Sequence, residues 1–233
     1  MTAESKGQRQ AFQFYGRRKG RRLREGRRSL YEMLLPKLTV TWRDGVPLDP
    51  RTLFEAPPRE IWLEIGFGGG EHLAAQARAN PEIGFIGCEV FEGGIASALG
   101  YVAEADLKNI RLHPEDARDL LSVLAPRSLD RVFLLFPDPW PKRRHEQRRF
   151  IGQANLDRLA ELMRGGAELR VASDDPTYQE WVLRHVPVHP AFRWQVETPS
   201  DWLTRPMDAI ETRYEKKARA AGRTPMFFRF LRF

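Results

Sequence analysis

Ile61-Trp62-Leu63-Glu64-Ile65-Gly66-Phe67-Gly68-Gly69-Gly70-Glu71 decides the fold. A short apolar run enters a turn with four glycines, and residues 71–79 then read as a helix that stops near Asn80-Pro81. Strand, tight turn and helix make the first half of a βαβ unit. Glycine lets the backbone turn sharply and lets a ligand come close to it. The dinucleotide fingerprint Gly-x-Gly-x-x-Gly is not met, because Glu71 stands where the third glycine belongs. Glu64 before the turn and Glu71 at the helix start both disfavour a pyrophosphate and suit a neutral or cationic ligand.

Outward from this unit the alternation continues. Strands are expected over 84–90, 110–113, 130–136 and 167–172, and helices over 92–105, 116–124, 148–163 and 177–186. Ile95, Ala98, Leu99 and Val102 fall on one helical face. Gly165 and Gly166 are expected to cap the helix over 148–163. Strands over 192–196 and 226–233 flank a charged helix over 210–221. Alternating elements predict an α/β fold, a parallel sheet covered on both faces with an antiparallel pair at one edge. On the N-terminal side, residues 29–60 form an extension with a short helix over 29–38 and a connecting loop over 43–60.

Residues 1–28 are a separate matter. Ten Lys and Arg stand there against two Glu, a net +8 that leaves the other 205 residues at −1 of the chain's +7. The expectation is a basic arm, disordered when free, on a near-neutral domain. Such an arm fits a polyanion, nucleic acid before membrane, or it is a solvated tail. Phe12, Phe14 and Tyr15 within it either dock on the domain or stack on bases. The single cysteine, Cys88, excludes an internal disulfide and a multi-cysteine metal site. No secretory signal and no apolar run of about 18 residues are visible. A reducing, cytoplasmic setting is expected, with no membrane and no metal.

In an open α/β sheet, ligands bind outside the carboxyl ends of the strands. Acidic residues recur there: Glu64, then Glu89, Asp116, Asp138 and the Asp174-Asp175 pair. Glu89 lies 25 residues after Glu64, a distance that suits acceptance from a ribose diol. Asp116 suits an exocyclic amine of adenine. Adenine, ribose and a positive centre without phosphate describe S-adenosylmethionine, with Gly66 and Gly68 against its backbone-facing edge. The competing reading is a generic doubly wound fold whose glycines serve packing.

The fourth strand end is the most distinctive. Leu134-Leu135-Phe136-Pro137-Asp138-Pro139-Trp140-Pro141-Lys142 places one carboxylate and one indole among three prolines. Proline ends the strand and keeps the residue before it out of the right-handed helical region. Asp138 is thus presented on a stiff loop, and Trp140 either stacks on a base or packs. Lys142, Arg143, Arg144, Arg148 and Arg149 follow as a candidate phosphate-binding cluster. His113 and His145 have no second ligand at metal-binding spacing and read as hydrogen-bonded loop residues.

These segments resemble the bacterial tRNA (guanine-N7-)-methyltransferases. The matches are Leu63 to Gly70, Gly87 to Val90, Phe136 to Lys142, Ala172 to Asp175 and Thr212-Arg213-Tyr214-Glu215. The resemblance covers about residues 60–230, and Pro-Asp-Pro-Trp-x-Lys is its most specific part. It implies the class I methyltransferase fold, with seven strands and one antiparallel edge strand. It also implies methylation of guanine 46 in the tRNA variable loop. By position, Glu64, Glu89, Asp116 and Asp138 fall to the cofactor, with Asp138 as the catalytic residue. Lys142, Asp174 and Thr212, Arg213, Tyr214 and Glu215 fall to the tRNA. A methyltransferase acting on protein or a small molecule, and a non-catalytic RNA-binding module, stand as the alternatives.

Overall fold

The computed structural model describes residues 16–233. In chain order its elements are α1 (Glu25–Leu38), β1 (Glu60–Ile65), α2 (Glu71–Ala79), β2 (Ile83–Cys88), α3 (Glu92–Glu104), β3 (Ile110–His113) and α4 (Ala117–Val123). Then come β4 (Leu129–Leu135), α5 (Gln153–Leu162), β5 (Met163–Ser173) and α6 (Pro176–His185). The chain closes with β6 (Phe192–Trp194), α7 (Ser200–Leu203), α8 (Arg213–Ala220) and β7 (Met226–Arg232). One seven-stranded sheet has the order β3-β2-β1-β4-β5-β7-β6. β1 to β5 pair in parallel, while β7 runs antiparallel to both β5 and β6.

Alternation along β1 sorts its side chains between two cores. Ile61, Leu63 and Ile65 pack on the α4–α5–α6 side, whereas Trp62 packs with Phe85, Phe133 and the buried faces of α1, α2 and α3. Both faces of the sheet are therefore covered, as a parallel sheet requires. Strand order reverses between β1 and β4, and Ile65 lies level with Cys88 on one side and Leu134 on the other. The crevice that this switch point opens is where the carboxyl ends of the strands leave room for a ligand.

Three sequence expectations need correction. The helix expected over 29–38 begins four residues earlier, at Glu25, so the end of the basic stretch is helical. The helix expected over 148–163 is shorter. Arg143–Arg148 forms a 3-10 turn, α5 starts at Gln153, and its C-cap is Met163. Gly165 and Gly166 do not cap it but lie within the long strand β5. Residues 16–24 are neither helix nor strand, yet they lie against the domain: the Arg18 carbonyl accepts from Glu92 N, and the Arg18 guanidinium pairs with Glu115. Phe12, Phe14 and Tyr15 lie outside the described residues.

Candidate active site

A cavity of about 470 Å³ opens at the switch point, walled by the ends of β1, β2 and β4. Gly66, Gly68, Glu89, Asp116 and Asp138 all line it, so five sequence-predicted cofactor positions converge from four strand ends. Gly66 has φ +70°, and a Cβ there would point into open space. Gly68 has φ +58°, and a Cβ there would stand 2.8 Å from the Tyr214 ring. Both positions need the left-handed region that glycine enters freely.

Glu89 organises the turn. Its Oε2 accepts from Gly68 N at 2.8 Å, while its Oε1 accepts from Val90 N and Phe91 N at 2.8 and 2.9 Å. Burial raises its pKa, the three backbone donors lower it, and the Asp138 charge raises it; the net direction is up. Asp116 caps α4 by accepting from Arg118 N at 2.9 Å and also holds the Arg118 guanidinium. Burial would raise its pKa, but these bonds and the Arg118 charge outweigh burial, so it stays a carboxylate. His113 beside it is buried, with Nε2 3.1 Å from the Asp116 carbonyl oxygen. Burial pushes the Cys88 thiol up, which leaves it an inert wall group.

Two expected acids are elsewhere. Glu64 is buried on the α2 face of the sheet, where its Oε2 accepts from His72 Nδ1 at 2.9 Å; it does not line the cavity. Side-chain alternation puts it on the opposite face from Ile65. Asp174 is bonded to Arg223 Nε at 2.6 Å and is also outside the cavity wall. Its neighbour Asp175 caps α6 by accepting from Tyr178 N.

The proline loop carries Asp138 at the rim. Its carboxylate is exposed and makes no hydrogen bond or ion pair among the described residues. Phe136 and Trp140 have φ of +51° and +43°. Each precedes a proline, which should favour extended angles; both instead adopt a left-handed φ that costs about 1–3 kcal/mol per residue. Lys142, Arg143 and Arg144 are exposed just beyond. Arg148 stacks over the Trp140 ring at 4.8 Å and lines the cavity. His145 meets the other edge of Trp140 in a T-shaped contact.

Arg149 departs from its expected role. It is buried, its Nε and Nη2 donate to the carbonyls of Pro139 and Trp140 at 3.0 Å each, and its guanidinium lies 4.3 Å from the Trp181 ring. It is not part of the exposed basic face. Nothing in the sequence distinguished it from Arg148 before burial was known.

The Thr212 to Glu215 segment divides in the same way. Thr212 is buried and caps α8 by accepting from Glu215 N. Glu215 is also buried, bonded to Arg219 and paired with Arg205, so neither presents itself to a macromolecule. Arg213 and Tyr214 are the exposed pair. Arg213 donates to the Tyr214 hydroxyl and pairs with Glu71, which sets Tyr214 over the glycine turn at the cavity mouth. Gly16 and Arg17 complete that mouth, a contribution the sequence did not signal. Among the described residues no group of His, Cys, Asp and Glu is arranged to hold a metal ion, and no helix is long and apolar enough to cross a membrane.

The chain matches a family model described as "Putative methyltransferase" over residues 58–227. It is 55% identical to a tRNA (guanine-N(7)-)-methyltransferase from Rhodospirillum rubrum, over 94% of this chain and 87% of that protein. An enzyme of the same name from Brucella anthropi is 46% identical over the whole of both chains. Among solved structures, the 16S rRNA (adenine(1408)-N(1))-methyltransferase from Catenulisporales acidiphilia aligns with a TM-score of 0.52 at 18% identity, over 84% of this chain and 97% of that one. That likeness carries the class I methyltransferase fold. The extent of the sequence match carries the rest: this chain belongs to the tRNA (guanine-N(7)-)-methyltransferase family.

Proposed function

We propose that this enzyme methylates N7 of guanine 46 in the tRNA variable loop, with Asp138 as its catalytic carboxylate. S-adenosyl-L-methionine is the methyl donor, and the residues present fit it. The open edge at Gly66 would be narrowed by any side chain, Glu89 and Asp116 offer acceptor oxygens, and the acidic wall suits a cationic sulfonium. Bound there, it supplies an electrophilic methyl group.

Guanine N7 carries an in-plane lone pair, so the chain has no proton to remove before attack. What remains is placement and charge compensation. Asp138, unpartnered at the rim, accepts from the guanine N1–H and N2–H edge and offsets the positive charge that the purine acquires. Glu89 and Asp116 hold the adenosine end. Tyr214 covers the glycine turn. Lys142, Arg143 and Arg144 contact tRNA phosphates, together with Arg213 and the exposed lysines of α8. Glu64 supports the turn from behind through His72, and the enzyme works in the cytoplasm.

The observation that carries this reading is the free carboxylate of Asp138 facing a cavity already ringed by Glu89 and Asp116. The test is transfer of a labelled methyl group to an unmodified tRNA transcript, with the site mapped by borohydride–aniline cleavage. Cleavage at guanine 46 is expected. Asp138→Ala should reduce turnover by about 100-fold or more while the protein stays folded. Wild-type turnover by that variant would remove Asp138 from the mechanism.

A further inference from the structure

One guanidinium in the cavity wall is buried and committed to the backbone rather than open to a phosphate. Arg149 is 5% exposed, and its fork is committed to two consecutive carbonyls, Pro139 O and Trp140 O. Those carbonyls belong to the loop that carries Asp138. Its planar face rests on the Trp181 indole, whose Nε1 donates to Ile151 O at 2.6 Å, so the support is fixed to the body of the domain. The Arg149 backbone N–H donates to Glu146 O and closes the 3-10 turn that presents Lys142, Arg143 and Arg144.

We infer that Arg149 is the positioning residue of the catalytic loop, a buried clamp that holds Asp138 in place rather than a tRNA contact. The backbone supplies the reason a clamp is needed. Phe136 and Trp140 sit at positive φ before prolines, a conformation that persists only when its surroundings over-determine it. Proline nitrogens carry no hydrogen, so this loop has few donors with which to fix itself. Two parallel N–H bonds from one rigid guanidinium fix consecutive carbonyls, and a lysine ammonium cannot reproduce that fork. The inference rests on the assignment of Asp138 as the catalytic carboxylate, and it adds what holds that carboxylate.

The experiment compares full-length wild type, Arg149→Lys, Arg149→Gln, Asp138→Ala and Arg144→Gln for kcat, KM for tRNA, cofactor affinity and the salt dependence of tRNA binding. Arg149→Lys should lose about 10- to 100-fold in kcat, with cofactor and tRNA affinities within about twofold of wild type. Arg149→Gln should leave the salt slope unchanged, whereas Arg144→Gln should reduce it by about one. Trp181→Leu removes the support without touching a charge. It should lower kcat in the same direction, and it decides the matter if Arg149→Lys does not fold. Wild-type kcat in the folded Arg149 variant, or a reduced salt slope in Arg149→Gln, overturns the inference. Wild-type turnover by Asp138→Ala would instead overturn the catalytic assignment on which it rests.

Discussion

A single carboxylate, Glu89, shows how closely the site depends on the chemistry of one group. Three backbone N–H groups converge on it, one on Oε2 and two on Oε1. A carboxylate accepts at both oxygens, but a carboxamide has only one accepting oxygen. In Glu89→Gln the amide nitrogen must therefore face at least one donor, and a backbone N–H near the glycine turn loses its partner. The expected cost is about 1–3 kcal/mol of stability, read by urea unfolding, with weaker cofactor binding in parallel. Unchanged stability would show that water replaces the lost acceptor. Strand-end acids such as this one were legible in the sequence, because the end of each strand could be counted. What the sequence did not show was direction. Glu64 and Glu89 look equivalent on paper, yet alternation within β1 turns Glu64 toward His72 and away from the cavity. Arg148 and Arg149 are neighbours and both line the cavity, but one stacks on Trp140 and the other is buried beneath the loop.

Helix α3 contains an internal control for how tightly the elements pack around the site. A Cβ on Gly94 would stand 2.2 Å from the Gly68 carbonyl oxygen, so the first turn of the helix is seated directly on the glycine turn. A Cβ on Gly100, later in the same helix, would meet nothing within 4 Å. Gly100→Ala should therefore stabilise by about 0.4–1 kcal/mol through helix propensity and a less flexible unfolded chain. Gly94→Ala should destabilise by about 1–3 kcal/mol and weaken cofactor binding, because backbone and not a flexible side chain must give way. Thermal unfolding with cofactor titration separates the two, and equal effects would refute the packing argument. The periodic elements were the legible ones. The helix over 71–79 and the strand over 110–113 stand where the pattern put them, since glycine turns and prolines bound them. The segment after the proline loop was not legible. Arg143–Arg148 takes 3-10 geometry, and Gly165 and Gly166 continue into a strand whose place is set by pairing with β4 and β7. Such tertiary pairing overrides a local glycine signal.

At the scale of the molecule, some of the exposed cations belong to the segments that border the cavity. Exposed Lys142, Arg143 and Arg144 lie on the loop side, exposed Lys216 and Lys217 on α8, and Arg17 at the mouth. From the sequence, the basic arm over residues 1–28 reads as a polyanion contact or a solvated tail. The placement of residues 16–24 changes that expectation. Gly16 and Arg17 line the cavity, the Arg18 carbonyl receives the N–H of Glu92 at the start of α3, and its guanidinium reaches Glu115 beside Asp116. Two truncations therefore separate two roles. Removing residues 1–15 takes away Lys6, Arg9 and Glu4, and should leave cofactor affinity within about twofold. Removing residues 1–24 also deletes Arg17, Arg18, Lys19, Arg21, Arg22 and Arg24. It should weaken tRNA binding with a shallower salt slope and also raise the cofactor dissociation constant, because part of the cavity mouth is gone. Both constants are measurable by titration at two ionic strengths. If the longer truncation weakens tRNA binding alone, the segment acts as a polyanion tether and the cofactor site is complete without it. If it weakens cofactor binding alone, its cations do not meet phosphate. Loss of both is what the geometry requires, since one short stretch supplies cations to the surface and a wall to the site.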